Sequence, residues 1–325
     1  MMSFYKRFNH ICVATLLIAF MLLSGCSDIP DKAKTPYFEN GLVVTFVDVG
    51  HGDCTFIRLP DGKNMLIDVG VQSEGVYANV QAVLEAYSVD TIDYLVLTHP
   101  DSDHIGNGQV VVEDYNIKRA FLPDLKSKEL YANFHAIKDS LLQAGAVVNF
   151  SKPFAKIEGS DYFIGFLSPV GSLRIDGYYG DFNITLNPTA SQENNLSPII
   201  YLEYRGVRFL FTGDADSSQE ALVLRHYNLD EYKWAMPDVD LSNVDVLKVA
   251  HHGSSDSSSE DFLRLLSPKI AVISVGGNNA YALPSTETIN RLRSVCADCE
   301  ILRTDIHGNV TVHVTDYGKY NVYNN

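Results

Sequence analysis

The stretch DYLVLTHPDSDHIG, residues 93–106, decides how the rest of the chain is read. Residues 94–98 are a short apolar run rich in β-formers and closed by Pro100, which predicts a buried strand that stops abruptly. His99, Asp101, Asp103 and His104 follow on the loop, where Pro100 removes a backbone donor and forces His99 into an extended conformation. Two carboxylates this close, with no Lys or Arg among them, repel each other unless a cation or protons hold them together. The crowding of imidazole and carboxylate therefore predicts a metal-ligand loop rather than an ordinary turn.

Outward from this loop, 325 residues with 46% apolar content suffice for a large buried core, in one large domain or two small ones. At the N-terminus, Lys6 and Arg7 precede an apolar run at 11–23 and then small residues, the order expected of a secretory signal. The run is short for a membrane span. Leu23-Ser24-Gly25-Cys26 resembles a bacterial lipobox, so residues 1–25 are expected to be a lipoprotein signal peptide and 26–40 a tether from a lipid on Cys26. A single uncleaved anchor is the alternative. Either way, residues 41–325 are expected outside the cytoplasm, attached to a bacterial membrane.

Of five cysteines, Cys12 goes with the signal and Cys26 with the lipid. Cys54, Cys296 and Cys299 remain, an odd number that allows one intramolecular disulfide at most. The spacing of Cys296 and Cys299 is read as a local disulfide or a reduced pair at a helix end, in preference to a redox or zinc centre. A net charge of −15 argues against non-specific nucleic-acid binding over the whole surface, but leaves room for a local basic groove or a metal-bridged phosphate.

From Gly41 the pattern starts as a meander, with strands at 42–49, 55–59 and 64–68 and a hairpin signal at Pro60-Asp61-Gly62. Helices at 76–89 and 128–144 then alternate with strands at 94–98, 118–122 and 146–150. A strand at 162–167 leads into a polar loop at 171–195, read as a lid or as a solvated insertion. A hairpin at 197–212 turns at Arg205-Gly206, and Gly213-Asp214-Ala215-Asp216 opens a helix at 217–226. Strands at 244–250, 270–275, 300–303 and 309–314 alternate with helices at 258–266 and 285–295. No Pro- or Ser-rich linker divides this region, so one domain of two mixed sheets with helices outside them is expected. His135, His226 and His313 have no carboxylate neighbours in sequence and read as structural.

Three strand ends carry candidate ligands: His99, Asp101, Asp103 and His104 in the first, Asp214 in the second, and His251 with His252 in the third. Loops at one edge of an α/β core assemble sites from distant sequence, so the three can converge. Their donors suffice for two divalent metal ions, manganese or zinc, with Asp214 able to bridge because it has two oxygens. The predicted reaction class is metal-assisted hydrolysis, with Asp103 and Asp214 as its catalytic carboxylates.

The spacing His99-Pro100-Asp101-Ser102-Asp103-His104 resembles the His-x-His-x-Asp-His motif of the metallo-β-lactamase superfamily, with Asp101 in place of the second His. Together with FVDVGHGDCTFIRLPDGKNMLIDVG (46–70), FTGDAD (211–216), VLKVAHHGSSDSS (246–258), SVGGNNAYALPS (274–285) and LRTDIHGNVTV (302–312), it resembles the extracytoplasmic hydrolase domain of the ComEC competence-protein family. That resemblance implies an αββα sandwich with the site at one edge. It carries metal ligation to His99, Asp101, Asp103, His104, Asp214 and one of His251 and His252.

Where many superfamily members place a third His before Asp214, this chain has Asn194 and Asn195, which makes one site richer in oxygen and favours manganese or magnesium. It has His51 where the ComEC-like pattern has Gln, and Leu283 where that pattern has a His before Pro284. His51 could replace the lost group at the substrate. Asn279, Tyr281, Thr304 and Asp305 fall on family positions and read as substrate contacts or as turn chemistry.

The expected function is that of a membrane-anchored phosphodiesterase or nuclease. The alternatives are a small-molecule ester or lactone hydrolase, with β-lactams disfavoured by the missing His, and a non-catalytic binding lipoprotein. The expected partners are a nucleic acid or small phosphodiester or ester substrate, and a membrane through Cys26; nothing points to a protein partner.

Overall fold

The computed structural model describes residues 36–125, 127–169, 193–229 and 231–324, with the backbone of 174–175 and 178–179. The predicted signal peptide, Cys12, Cys26, most of the predicted tether and most of the predicted loop at 171–195 lie outside the described residues. Among the described residues no helix is long and apolar enough to cross a membrane.

The sheets follow from alternation of side chains along the strands. In β1 (Leu42–Phe46), Leu42, Val44 and Phe46 point to one side and Val43 to the other, and both sides are buried. β2 (Thr55–Arg58) and β3 (Asn64–Ile67) continue the meander around a turn in which Gly62 adopts φ +84° and Asp61 accepts from the Lys63 amide. β4 (Thr91–Val96), β5 (Asn116–Leu122) and β6 (Val147–Phe150) then add in parallel, each reached through helical crossovers: α1 (Glu74–Ala86), the short α2 (Ser102–Ile105) and α3 (Gly108–Asp114), and α4 (Ala132–Gln143).

The second sheet begins with β7 (Lys156–Glu158) and β8 (Tyr162–Phe166) and, after the two-residue pair β9 (Arg174–Ile175) and β10 (Tyr178–Tyr179), resumes with β11 (Ile200–Tyr204) and β12 (Val207–Phe211). β13 (Val246–Lys248), β14 (Ile270–Ile273) and β15 (Glu300–Arg303) follow in parallel. Their connections carry α5 (Ser217–Asn228), α6 (Glu231–Ala235), α7 (Glu260–Leu266) and α8 (Thr286–Val295). One turn of helix, α9 (Thr304–His307), returns the chain to the first sheet, where β16 (Val310–Val314) and β17 (Tyr320–Asn324) close the edge beside β1. The orders are β17-β16-β1-β2-β3-β4-β5-β6 and β15-β14-β13-β12-β11-β8-β7.

Three apolar layers fix the stacking. The central one joins Val44, Phe46 and Met65 of the first sheet to Phe166, Leu202, Phe209 and Phe211 of the second, with Phe46 and Phe211 rings 6.1 Å apart. Outside the first sheet, Leu66 and Leu95 meet Val83 and Leu84 of α1 and Ile137 and Leu141 of α4. Outside the second, Leu210 and Leu247 meet Val223 of α5, Phe262 and Leu263 of α7 and Leu292 of α8. Helix, sheet, sheet and helix therefore lie in that order, the metallo-β-lactamase arrangement that the resemblance implied.

Several elements were not in the sequence reading. β7, β17, α3, α6 and α9 are short or half exposed and carry little periodicity. Residues 36–40, expected at the end of the tether, pack on the domain: Phe38 stacks on His313 with ring centroids 4.0 Å apart, and the Tyr87 hydroxyl donates to the Pro36 carbonyl. An aromatic side chain in an otherwise polar segment finds apolar cover where it can. Cys54, Cys296 and Cys299 are all free thiols, with Cys54 and Cys296 buried.

Candidate metal centre

Neighbouring parallel strands have their carboxyl ends at the same edge of a sheet, and ligand sites form beyond those ends. Here β3, β4, β12, β13 and β14 bring Asp68, the 99–104 loop, Asp214, His251 with His252, and the 274–284 loop to a single place. The β1–β2 loop adds His51 and Asp53. Gly52 there holds φ +137°, and a Cβ on it would stand 2.3 Å from the Asp103 carbonyl, so only glycine lets the two loops pack.

The donor atoms are close and their orientation is fixed from behind. The Thr98 hydroxyl gives its one proton to Asp68 Oδ2 at 2.7 Å, so toward His99 Nδ1, 3.0 Å away, it can only accept. His99 therefore carries its proton on Nδ1 and turns a bare Nε2 into the site, where that atom is buried without a hydrogen-bond partner. Asp68, itself buried, also accepts from His104 Nδ1 at 2.8 Å, and the Ser274 carbonyl accepts from His252 Nδ1 at 2.8 Å. His251 Nδ1 lies 3.1 Å from Asp256. In each ring Nε2 faces inward, the backing that metal-binding histidines characteristically have.

His104 Nε2 and His252 Nε2 stand 3.3 Å apart. Both are 3.3–3.5 Å from Asp214 Oδ2, and Asp103 Oδ2 is 3.3 Å from His252 Nε2 and 4.0 Å from His104 Nε2. From the same Asp214 Oδ2, His99 Nε2 is at 3.8 Å and His251 Nε2 at 3.9 Å, with Asp101 Oδ2 3.6 Å from His99. Asp214 Oδ1 is buried and unpartnered. Asp214 is thus the carboxylate that all four imidazoles share.

Adjacent in sequence, His251 and His252 diverge because both hold positive φ, 49° and 50°. His252 is fully buried against Asp103 and His104. His251 is partly exposed and meets Asn194, whose Nδ2 is 3.4 Å from its Nε2. Both therefore reach Asp214 Oδ2, at 3.9 and 3.5 Å.

The electrostatics are those of a site short of positive charge. Burial alone would raise Asp103, but its hydrogen bond to His252 and the charges of His104 and His252 hold it below the usual carboxylate range. Asp214 is likewise held low against its burial by His104 and His252. Burial would lower His104, yet Asp214 and Asp68 raise it well above the ordinary imidazole value. The carboxylates that draw protons to His104 would draw a divalent ion equally.

The structure brings together every residue proposed from sequence as a ligand: His99, Asp101, Asp103, His104, Asp214, His251 and His252. His51 also arrives, its Nε2 3.7 Å from Asp103 Oδ2, and Tyr281 stacks on it with centroids 5.1 Å apart. At Asn279 and Thr304 the structure shows the turn chemistry that was one of their two readings. The Asn279 side chain spends both donors on the Gly276 and Leu283 carbonyls and accepts from the Tyr281 and Leu283 amides, while the Thr304 hydroxyl is buried against both backbone groups of Val275. Both build the wall. Asp305 is engaged by a forked contact from Arg303.

The sequence reading assigned no role to Asp68, Asp53, Thr98, Ser197, Lys248 or Asp256. Asp68 and Lys248 did carry a signal, as lone charges in the apolar runs NMLIDVG and VLKVA.

The family model described as the metallo-beta-lactamase superfamily matches residues 47–131, the segment containing the first ligand loop. The chain is 26% identical to ComE operon protein 3 of Bacillus subtilis over 86% of its own length and 34% of that protein's. It is 27% identical to competence protein ComA of Neisseria gonorrhoeae over 92% of its length and 37% of that protein's. It therefore spans about a third of the curated relatives it matches. Among solved structures it superposes on CmlA, a diiron beta-hydroxylase from Streptomyces venezuelae, with TM-score 0.50 at 14% identity over 86% of this chain and 55% of that one, a likeness of fold alone.

Proposed function

We propose that this chain, which has the metallo-β-lactamase fold and resembles the ComEC competence proteins, is a divalent-metal-dependent hydrolase of phosphodiesters. One observation carries the reading. His104 Nε2 and His252 Nε2, their opposite nitrogens held by Asp68 and the Ser274 carbonyl, face each other across 3.3 Å with two carboxylates alongside. Two ring nitrogens so placed repel unless a proton or a metal cation lies between them, and carboxylates that draw the one draw the other. Bonds of about 2.1 Å to a tetrahedral ion separate neighbouring donors by about 3.4 Å, close to the spacings among His104, His252, Asp103 and Asp214.

His104, His252, Asp103 and Asp214 would hold one ion; His99, Asp101, Asp214 and His251 would hold a second. Ions bound there would acidify water and polarise a phosphoryl or acyl oxygen. The protein's own contribution is orientation: Asp68, Thr98, Ser274 and Asp256 fix four imidazoles in their ligating tautomer and exclude other rotamers. Three carboxylates among the donors make the centre hard enough for manganese, although zinc would bind tightly.

The phosphodiester class comes from the ComEC resemblance, and this chain spans only about a third of the relatives it matches. With a net charge of −15, a short or single-stranded substrate is favoured over long duplex. Detergent-solubilised full-length chain, stripped with chelator and reloaded, is expected to hydrolyse bis-p-nitrophenyl phosphate and single-stranded DNA, faster with manganese than with zinc. Turnover of a lactone but of neither phosphodiester would move the reading to a small-molecule esterase. Two bound ions with no turnover on any of these would leave a binding lipoprotein.

The location outside the cytoplasm, on a lipid at Cys26, is part of the same proposal. Cys26→Ser is expected to shift the protein from the membrane to the soluble fraction, because lipid chains contribute about 0.8 kcal/mol per buried methylene. Retention in the membrane with an intact N-terminus would identify the apolar run at 11–23 as the anchor instead.

A further inference from the structure

His51 lies at the centre, beside Asp103 and His252. Its ring is held on one face by Tyr281 and lies 4.6 Å, centroid to centroid, from that of His252. Behind it the backbone is pinned: Gly276 passes so close that a Cβ there would stand 2.7 Å from the His51 amide nitrogen. Nε2 is 3.7 Å from Asp103 Oδ2, and Nδ1 is buried with no hydrogen-bond partner. One donor atom from each of His51, Asp103 and His252 lies within 4.8 Å of the others.

Around an ion with bonds of about 2.1 Å, donors are separated by about 3.0 Å when adjacent in an octahedron and by about 4.2 Å when opposite. The His51–Asp103 separation falls inside that interval, and Asp103 already stands beside His252 and His104. No hydrogen bond sets the ring in place; the Tyr281 stack and the pinned loop present its nitrogen to the centre.

We propose that His51 is a direct ligand of the ion on the His252 side, a fifth donor beside Asp103, His104, His252 and Asp214. The inference rests on the metal-hydrolase reading and deepens it. Three imidazoles then serve the His252 side, while the other has His99 and the partly exposed His251 with Asp101 and Asp214. The two halves differ in softness: the nitrogen-rich one suits zinc, and the oxygen-richer one suits manganese. With a fifth position filled by protein, the open coordination needed for substrate lies mainly on the His99 side or between the ions.

The test is zinc binding to chelator-treated, detergent-solubilised full-length chain, read by calorimetry and elemental analysis, with visible absorption of the cobalt-substituted protein as a report of ligand number. Wild type is expected to take up two zinc ions. His51→Gln and His51→Phe, the second preserving a ring against Tyr281, are each expected to weaken one of the two binding events at least about tenfold and to change the cobalt absorption. The other binding event should keep its affinity. Both variants binding two ions with wild-type affinity and spectrum would overturn the assignment of His51 while leaving the two-metal reading intact. Wild type that binds no ion would overturn the reading itself, and with it the inference. Circular dichroism of both variants distinguishes loss of a ligand from loss of the fold, and a tenfold loss in a folded His51→Phe alone is sufficient support.

Discussion

Asp214→Asn is expected to lose at least one of the bound ions and to lower kcat by about a thousandfold or more, while the folded protein keeps its secondary structure. Asp214 Oδ2 is within 3.9 Å of the Nε2 atoms of His99, His104, His251 and His252, so one oxygen stands between all four imidazoles. Its partner Oδ1 is buried with no donor, free for a second ion. An amide keeps the shape but replaces one oxygen by a donor that would point hydrogens at lone pairs and removes the negative charge that offsets two dications. The fold does not depend on it, because the three apolar layers close without Asp214. Elemental analysis and phosphodiesterase assays check the outcome. Unchanged metal content and turnover would remove Asp214 from the bridging role and the dinuclear centre with it.

Much of this was legible because the first ligand loop is local in sequence. His99, Asp101, Asp103 and His104 crowd within six residues after one strand, and the repulsion of their carboxylates signals a cation before any fold is known. Asp214 and the His251-His252 pair were found by the same logic, being polar side chains at the ends of apolar runs. The backing residues were not legible in this way. Asp68 meets Thr98 and His104 only because β3 and β4 are parallel neighbours, and Asp256 meets His251 through a turn whose positive φ angles no residue type announces. Asn279 and Thr304 show the converse ambiguity. A polar residue near a site in sequence can spend every hydrogen bond on the backbone, and only the donor and acceptor count reveals it. Whether His251 or His252 takes the last ligand position could not be decided from order; in the structure both stand within 3.9 Å of Asp214 Oδ2.

Replacing Lys248 by Met is expected to cost about 3–5 kcal/mol of stability, the largest effect anticipated for a residue that touches no ligand position from the front. Lys248 ends β13 in the second sheet and is buried at 2% exposure. Its ammonium donates to the Val249 carbonyl and lies 2.7 Å from Asp53 Oδ2 on the β1–β2 loop, so this buried ion pair ties the two sheets together beneath the metal centre. Methionine fills the space of the stem but leaves Asp53 as a buried anion, near Asp68 and His104 and with His252 Nδ1 at 3.5 Å. That imidazole already gives its proton to Ser274, and drawing it toward Asp53 would turn Nε2 away from Asp103 and Asp214. Lys248→Met should therefore lose metal affinity as well as stability. The double variant Lys248→Met with Asp53→Asn removes the stranded charge and is expected to regain a substantial part of the loss. Urea unfolding of the metal-free forms measures both. A Lys248→Met protein within about 1 kcal/mol of wild type, the range of an exposed pair, would mean that Asp53 is reached by water and that the pair does not clamp the sheets.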